Sequence, residues 1–397
     1  MSSSLHVSLI GQKFMGRAHS NAWAQAPRFF DLPRPVVLDT VAAREEGELS
    51  AFADRWGWRK WTTHWEDLAT NPDIELVDVG TPNHLHAPQA ITMLRAGKHV
   101  ACEKPLAGTL EDARAMRDAA KRAKQARTFV WFNYRRCPAL SLAWQLVREG
   151  RLGRILHVRA HYLQEWGGPD TPMSWRFQRK LAGSGAHGDL NAHIVDLARF
   201  LVGEEMSEIH GAVARTFVDK RPLSGGAGEA IGGKGRRAPK ASATGKSDVD
   251  DCVAFVASFA GGATATFEAT RLAHGHQNDN SIELNGEKGS LRFSFEDMNL
   301  LHLAERSDGA RTGGWKRIMC TSAANHPYAR AWWPDAHVLG YEHGFINMAA
   351  DIVRALSGSE PEIPLPDFAD AYETQRVLEA ALLAARERRA VKLNEVR

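Results

Sequence analysis

Short runs of Val, Ile and Leu alternate with helical patterns through the first third of the chain. Val7–Ile10, Val36–Asp39, Leu76–Val79, His99–Cys102 and Thr128–Phe132 predict strands. The stretches near Gly16–Ala26, Glu45–Trp56, His64–Ala69, Ala87–Ala96 and Leu110–Ala126 predict helices between them. The strands are apolar throughout rather than at alternate positions, the pattern of a parallel sheet covered by helices on both faces. Thr63 with Glu66 and Thr109 with Asp112 predict helix starts, because a hydroxyl three residues before an acid satisfies free N–H groups.

Beyond about residue 135 the rhythm changes. Pro138 opens a predicted helix to about Glu149, and Asp189–Leu201 reads as strongly helical. Ile155–Tyr162, Ile209–Thr216, Asp251–Phe259, Ala263–Ala269, Ser281–Asn285 and Ser290–Phe295 predict strands, with Gly261-Gly262 as a hairpin turn. Strands that follow one another without helices predict a mostly antiparallel sheet in a separate α+β domain, closed by helices at Phe345–Leu356 and Ala369–Arg388. Ser224–Ser247 is rich in Gly, Ala, Lys and Arg and predicts a solvated loop, an insertion at about residues 221–248.

A chain of 397 residues suits two domains, and 44% hydrophobic with 24% charged residues is ordinary for a folded protein. Fifty Lys+Arg against 47 Asp+Glu leaves +3, too little for a general nucleic-acid or membrane-surface binder. No apolar run reaches the roughly 18 residues that span a bilayer. The opening residues lack the basic and apolar regions of a secretory signal. Cys102, Cys137, Cys252 and Cys320 are scattered and form no C-x-x-C pair, which suits a reducing compartment. The expectation is a soluble, cytoplasmic protein.

The first strand leads into Gly11-Gln12-Lys13-Phe14-Met15-Gly16. This is the spacing of a dinucleotide fingerprint with Lys13 in place of the middle glycine. Gly11 permits the turn and Gly16 lets the helix pack on the sheet. The helix N-terminus then offers N–H groups and partial positive charge to a pyrophosphate. Lys13 either keeps the loop farther from the phosphates or contacts them itself. Ala43 stands where an acid for the adenosine ribose is expected, and Arg44 beside it can receive a 2′-phosphate, so NAD and NADP both stay open.

Thr81-Pro82-Asn83-His84-Leu85-His86 follows the third strand at its carboxyl end, where doubly wound sheets bind ligands. His84 and His86 have no third ligand near them in sequence, so no metal is expected. Glu103-Lys104-Pro105 follows the fourth strand, and a lysine there is placed for acid–base or carbonyl-polarising work. Asp189 and His193 are four apart on a helix buried through Leu190, Ile194, Leu197 and Leu201, so the two can touch. A neighbouring carboxylate would then set the tautomer of His193. Gly183–Gly188 provides a small-residue approach with room for a ligand.

Taken together, Gly11…Gly16-x-x-His19, Thr81…His86, Glu103-Lys104-Pro105, Asn133-Tyr134-Arg135 and Gly185…Asp189…His193 resemble the Gfo/Idh/MocA oxidoreductases over nearly the whole chain. Trp175-Arg176-Phe177, Glu268…Arg271 and Gly286…Gly289-Ser290 resemble the branch containing levoglucosan dehydrogenase and the glycoside 3-dehydrogenases. The resemblance implies a Rossmann domain at residues 1–134. It implies a C-terminal α/β domain at 135–397 with a large open, mostly antiparallel sheet for substrate binding and oligomerisation. Substrate would lie at their junction and the protein would be a homo-oligomer, dimer or tetramer.

The resemblance further implies NAD(P)-dependent oxidation of a secondary hydroxyl of a sugar or glycoside. Lys104, Asp189 and His193 would be catalytic: His193, held by Asp189, accepts the hydroxyl proton while Lys104 hydrogen-bonds the same oxygen. Gly11, Lys13, Phe14, Met15, Gly16, Arg44, Thr81, Pro82, Asn83, His86, Glu103, Lys104, Asn133, Trp175 and Arg176 would meet the cofactor. Tyr134, Arg135, Gln164, Trp175 and His343 would line the sugar pocket with the catalytic three, and Trp332-Trp333 suits core or subunit packing more than sugar stacking. Two other activities share such a scaffold. One is glycoside cleavage by oxidation, elimination and re-reduction on recycled NAD. The other is a dinucleotide-binding sensor, against which the Lys104, Asp189 and His193 set argues.

Overall fold

The computed structural model describes residues 4–223 and 243–396. Two compact units divide the chain. The first holds the residues up to Arg136 together with Gly340–Tyr372, and the second holds Cys137–Leu339 and the residues from Glu373 onward. The first crossing lies two residues beyond the expected boundary at 134, whereas the return over 340–372 has no counterpart in the sequence reading.

The first unit is built on β1 (Leu5–Ile10), β2 (Val36–Ala42), β3 (Lys60–Thr62), β4 (Leu76–Val79), β5 (His99–Cys102) and β6 (Thr128–Val130). They pair in the order β3-β2-β1-β4-β5-β6, all parallel, the order of a dinucleotide-binding sheet. Register decides what this sheet presents. Ile10 lies opposite Val79, Val79 opposite Cys102, and Cys102 opposite Val130. The turns after β1, β4, β5 and β6 therefore leave the sheet side by side at one edge.

Thr109 caps the helix Leu110–Arg122, its Oγ1 accepting the Asp112 N–H at 3.1 Å. At the other predicted start the hydroxyl is Thr62 rather than Thr63: Thr62 Oγ1 accepts the His64 N–H at 3.1 Å and donates to Asp67 at 2.9 Å. The returning segment closes the far edge of the sheet, because Val130 N–H donates to Pro366 O at 2.9 Å. Buried Arg136 anchors it, reaching Asp351 at 3.3 Å and Ile363 O at 2.7 Å. Losing either member of such a pair leaves a buried charge uncompensated.

In the second unit, β7 (Ile155–Leu163), β8 (Met206–Arg215), β9 (Lys220–Pro222), β10 (Thr244–Lys246), β11 (Cys252–Phe259), β12 (Thr264–Thr270), β13 (Asp279–Gly286), β14 (Gly289–Ser294), β15 (Leu300–Glu305), β16 (Lys316–Met319) and β17 (Val391–Lys392) are the strands. Nine of them form one sheet in the order β16-β15-β14-β13-β7-β12-β11-β8-β17, parallel only at β7 and β12. The Gly261-Gly262 turn joins β11 to β12 as expected, with Gly262 at φ 89°. Of the predicted loop insertion, residues 224–242 lie outside the described residues. Its ends differ from a plain loop, since β9 and β10 pair antiparallel.

The helix Ala192–Val202 is buried at every position, which explains its nearly continuous apolar sequence. Its one arginine, Arg199, is neutralised by Glu205 at 2.6 Å. Among the described residues no helix is long and apolar enough to cross a membrane.

Candidate active site

The turn after β1 is built for close approach. Gly11 has φ +123°, and a Cβ there would lie 2.8 Å from Gly80 O; a Cβ on Gly16 would lie 2.4 Å from Gly11 O. Both positions therefore demand glycine. The helix Phe14–Phe29 starts with no side-chain cap and no acid in its first turn. Its N-terminal N–H groups are left for an anion, as a pyrophosphate requires. The buried Gln12 Oε1 beside it has no hydrogen-bond partner among the described residues. These residues fit a dinucleotide. Phe14 stacks on Tyr341 with ring centroids 6.3 Å apart, and Met15 packs under Gly80.

The Lys13 ammonium is directed sideways, to Glu48 Oε2 at 2.6 Å and Glu45 Oε2 at 3.0 Å. The Glu48 hydrogen bond, with Glu45 adding to it, raises Lys13 above its ordinary pKa. Sequence reading looked for the ribose acid at position 43 and missed this pair, Glu45 at the N-cap and Glu48 in the first turn of the helix Glu46–Trp56. Arg44 is exposed at the end of β2.

After β4, Thr81 Oγ1 donates to Gln89 Oε1 at 2.6 Å and Asn83 is buried in the turn Asn83–Leu85. Buried His86 joins this turn to the next: its Nε2 lies 2.8 Å from Thr81 O and its Nδ1 3.1 Å from Pro105 O. Pro82 holds the extended position before Asn83. Lys104 is half-buried, its N–H donates to Glu103 Oε2 at 3.1 Å, and the Lys104–Pro105 bond is cis.

Asn133 and Tyr134 are buried after β6, and buried Arg135 pairs with Asp370 at 2.7 Å. His343 opens the helix Tyr341–Leu356, its Nδ1 accepting the Gly340 N–H at 3.0 Å. Burial pushes His343 below the usual histidine range. His343 and Arg135 thus belong to the first unit, and Arg135 has a structural partner there.

In the second unit the expected regular helix at Asp189 is a π turn, His187–Asn191, leading into Ala192–Val202. Such wide turns concentrate at functional sites. Asp250 makes this one. Its carboxylate accepts the N–H of Gly185 at 2.9 Å and of His187 at 2.7 Å, and its carbonyl accepts that of Ala186 at 3.0 Å. Asp189 is met by Arg271, whose Nη2 reaches Asp189 Oδ2 at 2.7 Å and Gly185 O at 3.1 Å. Arg271 lies over Trp166 at 4.9 Å, so a nearly buried guanidinium fixes the carboxylate. His193 packs against Tyr162 at 5.8 Å.

Gln164 bridges Trp166 Nε1, at 2.6 Å, and Asn278 Oδ1, at 2.8 Å. Arg176 covers Trp175 at 4.5 Å. Of the packing pair, Trp332 is buried and Trp333 is exposed. Among the described residues no group of three His, Cys, Asp or Glu could hold a metal ion. Arg271→Met removes two charge-assisted hydrogen bonds and should lower unfolding stability by about 1–3 kcal/mol, read by urea titration. A variant as stable as the parent would mean Asp189 is held by other groups.

Fold and turn chemistry define the class as an NAD-binding oxidoreductase. Residues 5–132 match the oxidoreductase family with NAD-binding Rossmann fold, and residues 141–292 match the GFO/IDH/MocA C-terminal domain. Levoglucosan dehydrogenase of Pseudarthrobacter phenanthrenivorans is 43% identical over 386 residues, 96% of each chain. A solved oxidoreductase domain protein from Kribbella flavida superposes with TM-score 0.91 at 45% identity, covering 99% of this chain and 100% of that one. Levoglucosan dehydrogenase in complex with NADH and levoglucosan gives TM-score 0.89 at 40% identity, covering 99% and 100%. The chain belongs to the Gfo/Idh/MocA oxidoreductase family.

Proposed function

We propose that this oxidoreductase removes hydride from a secondary hydroxyl of a sugar, an anhydrosugar or glycoside being the favoured class. The full-length likeness to levoglucosan dehydrogenase carries this reading. The turns after β1, β4 and β5 would hold NAD, which when bound supplies the hydride-accepting ring. His193 takes the hydroxyl proton, Asp189 orients it, and Lys104 donates a hydrogen bond to the same oxygen as negative charge grows there. The protein's contribution is thus orientation and electrostatics. We also propose a homo-oligomer, with the exposed Val213 and Val256 on the open sheet face as part of its contact surface.

The test is a panel of glucosides and anhydrosugars with NAD and with NADP, following absorbance and product. Stoichiometric NADH with a keto-sugar supports the dehydrogenase. Glycoside cleavage with no NADH released would instead identify the oxidation–elimination activity. Dinucleotide binding with no sugar oxidised would identify a sensor.

Glu45 and Glu48 also favour NAD over NADP. Glu45 stands at the N-cap and Glu48 in the first turn of the helix Glu46–Trp56 that follows β2, where a 2′-phosphate would meet like charge, and they occupy the Lys13 ammonium. Replacing both by Gln should raise kcat/KM for NADP relative to NAD by roughly tenfold, about 1.4 kcal/mol. An unchanged ratio would place cofactor choice elsewhere.

A further inference from the structure

We propose that buried His19, as an imidazolium, is the positioning residue for Lys104: it fixes the Glu103 carboxylate, which holds the Lys104 backbone. The inference rests on the reading of Lys104 as the amine that meets the reacting alcohol.

His19 projects from the helix Phe14–Phe29 and is 0% exposed. Its Nδ1 lies 3.1 Å from Asp78 Oδ1 and its Nε2 3.1 Å from Glu103 Oε1. Asp78, on β4, also accepts the indole N–H groups of Trp23 at 2.7 Å and Trp131 at 2.9 Å. The second oxygen of Glu103 accepts the Lys104 N–H at 3.1 Å. Apart from His19, the partners of these two carboxylates among the described residues are N–H donors, and an ionised carboxylate only accepts. Each ring nitrogen of His19 must therefore bring a proton. Burial opposes that charge, but Asp78 and then Glu103 outweigh it and hold the ring at a pKa of about 9. Trp131 stacks on the ring at 4.4 Å and Phe345 lies at 5.6 Å, so the other close faces are apolar.

The ring thus ties the ends of β4 and β5, the strands that deliver Thr81 and Lys104. Without the imidazolium, Glu103 is a buried charge lacking its counter-ion. It would relax toward the nearest cation in sequence, the Lys104 ammonium, and draw the amine from its task. The stability from this cluster is complete below about pH 6.5 and is lost as pH rises through about 9.

The experiment compares His19→Gln, Glu103→Ala and Lys104→Ala in the full chain, with NAD and a sugar the parent oxidises. His19→Gln and Glu103→Ala should each lose about ten- to a hundredfold in kcat with the sugar KM within about threefold, and His19→Gln should keep NADH affinity within about threefold. If Lys104→Ala turns over normally, the reading of Lys104 fails and this proposal with it. If Lys104→Ala is inactive while the other two keep kcat within threefold, only the positioning role is overturned. Should His19→Gln not fold, Glu103→Ala and the ¹⁵N spectrum of histidine-labelled parent protein decide. One imidazole protonated on both nitrogens at pH 8 is expected, and its absence overturns the proposal.

Discussion

Lys104→Ala should cost about two to four orders of magnitude in turnover while NADH affinity changes only a few-fold, the range for losing a positioned proton-handling group. The asymmetry follows from where the lysine sits. Dinucleotide affinity is expected chiefly from the glycine turn after β1, the uncapped N-terminus of Phe14–Phe29 and the turn after β4, with the Lys104 side chain one contact among many. The backbone at Lys104 is secured separately, through Glu103 Oε2 and the neighbouring His86 bridge. Truncation at Cβ thus removes the amine and leaves its frame. Stopped-flow absorbance with saturating sugar, beside a fluorescence titration of NADH, separates the two quantities. Turnover like that of the parent would remove Lys104 from the mechanism.

Gly185→Ala is expected to be the most damaging small substitution in the second unit. The new Cβ would fall 1.8 Å from Asp250 O and 2.9 Å from Val249 Cγ2. Backbone cannot yield as a side-chain tip can, so the strand entry at Asp250 must move. That movement breaks the bonds from Asp250 to three successive N–H groups. At about 1–3 kcal/mol for each bond to the carboxylate, plus overpacking, the loss should exceed about 3 kcal/mol in denaturant melts. Gly188→Ala is the matched control, because its Cβ would meet the Ser184 hydroxyl at 2.5 Å and a hydroxyl can rotate away. Equal melts for the two variants would show that Asp250 does not build the π turn.

What the sequence disclosed depended on how local each cause is. The five predicted strands of the first unit are apolar runs whose meaning is independent of context. β3, Lys-Trp-Thr, was invisible because it is short and half-exposed, and its pairing to β2 defines it. The same holds for β16 at the edge of the second sheet, whereas β15 was missed although Leu300, Leu301 and Leu303 are buried, its place being set by pairing with β14. The Asp189 helix was legible as apolar. Its π geometry was not, since residues 61 and 82 positions later impose it through Asp250 and Arg271. Lys13 was legible as a departure from the glycine pattern, but its ammonium is claimed by Glu45 and Glu48 from the next helix. Arg271 was noticed only as part of a family pattern, with no hint that it grips Asp189.

The chain's double passage between its units bears on how the protein is made. The sheet of the first unit takes its edge cover from Pro366, and Arg136 takes its carboxylate from Asp351, 215 residues further along the chain. A fragment that stops before those residues would keep an open sheet margin and a guanidinium without its carboxylate. Residues 4–136 alone should therefore be less stable and more prone to associate than the same segment joined to 340–372.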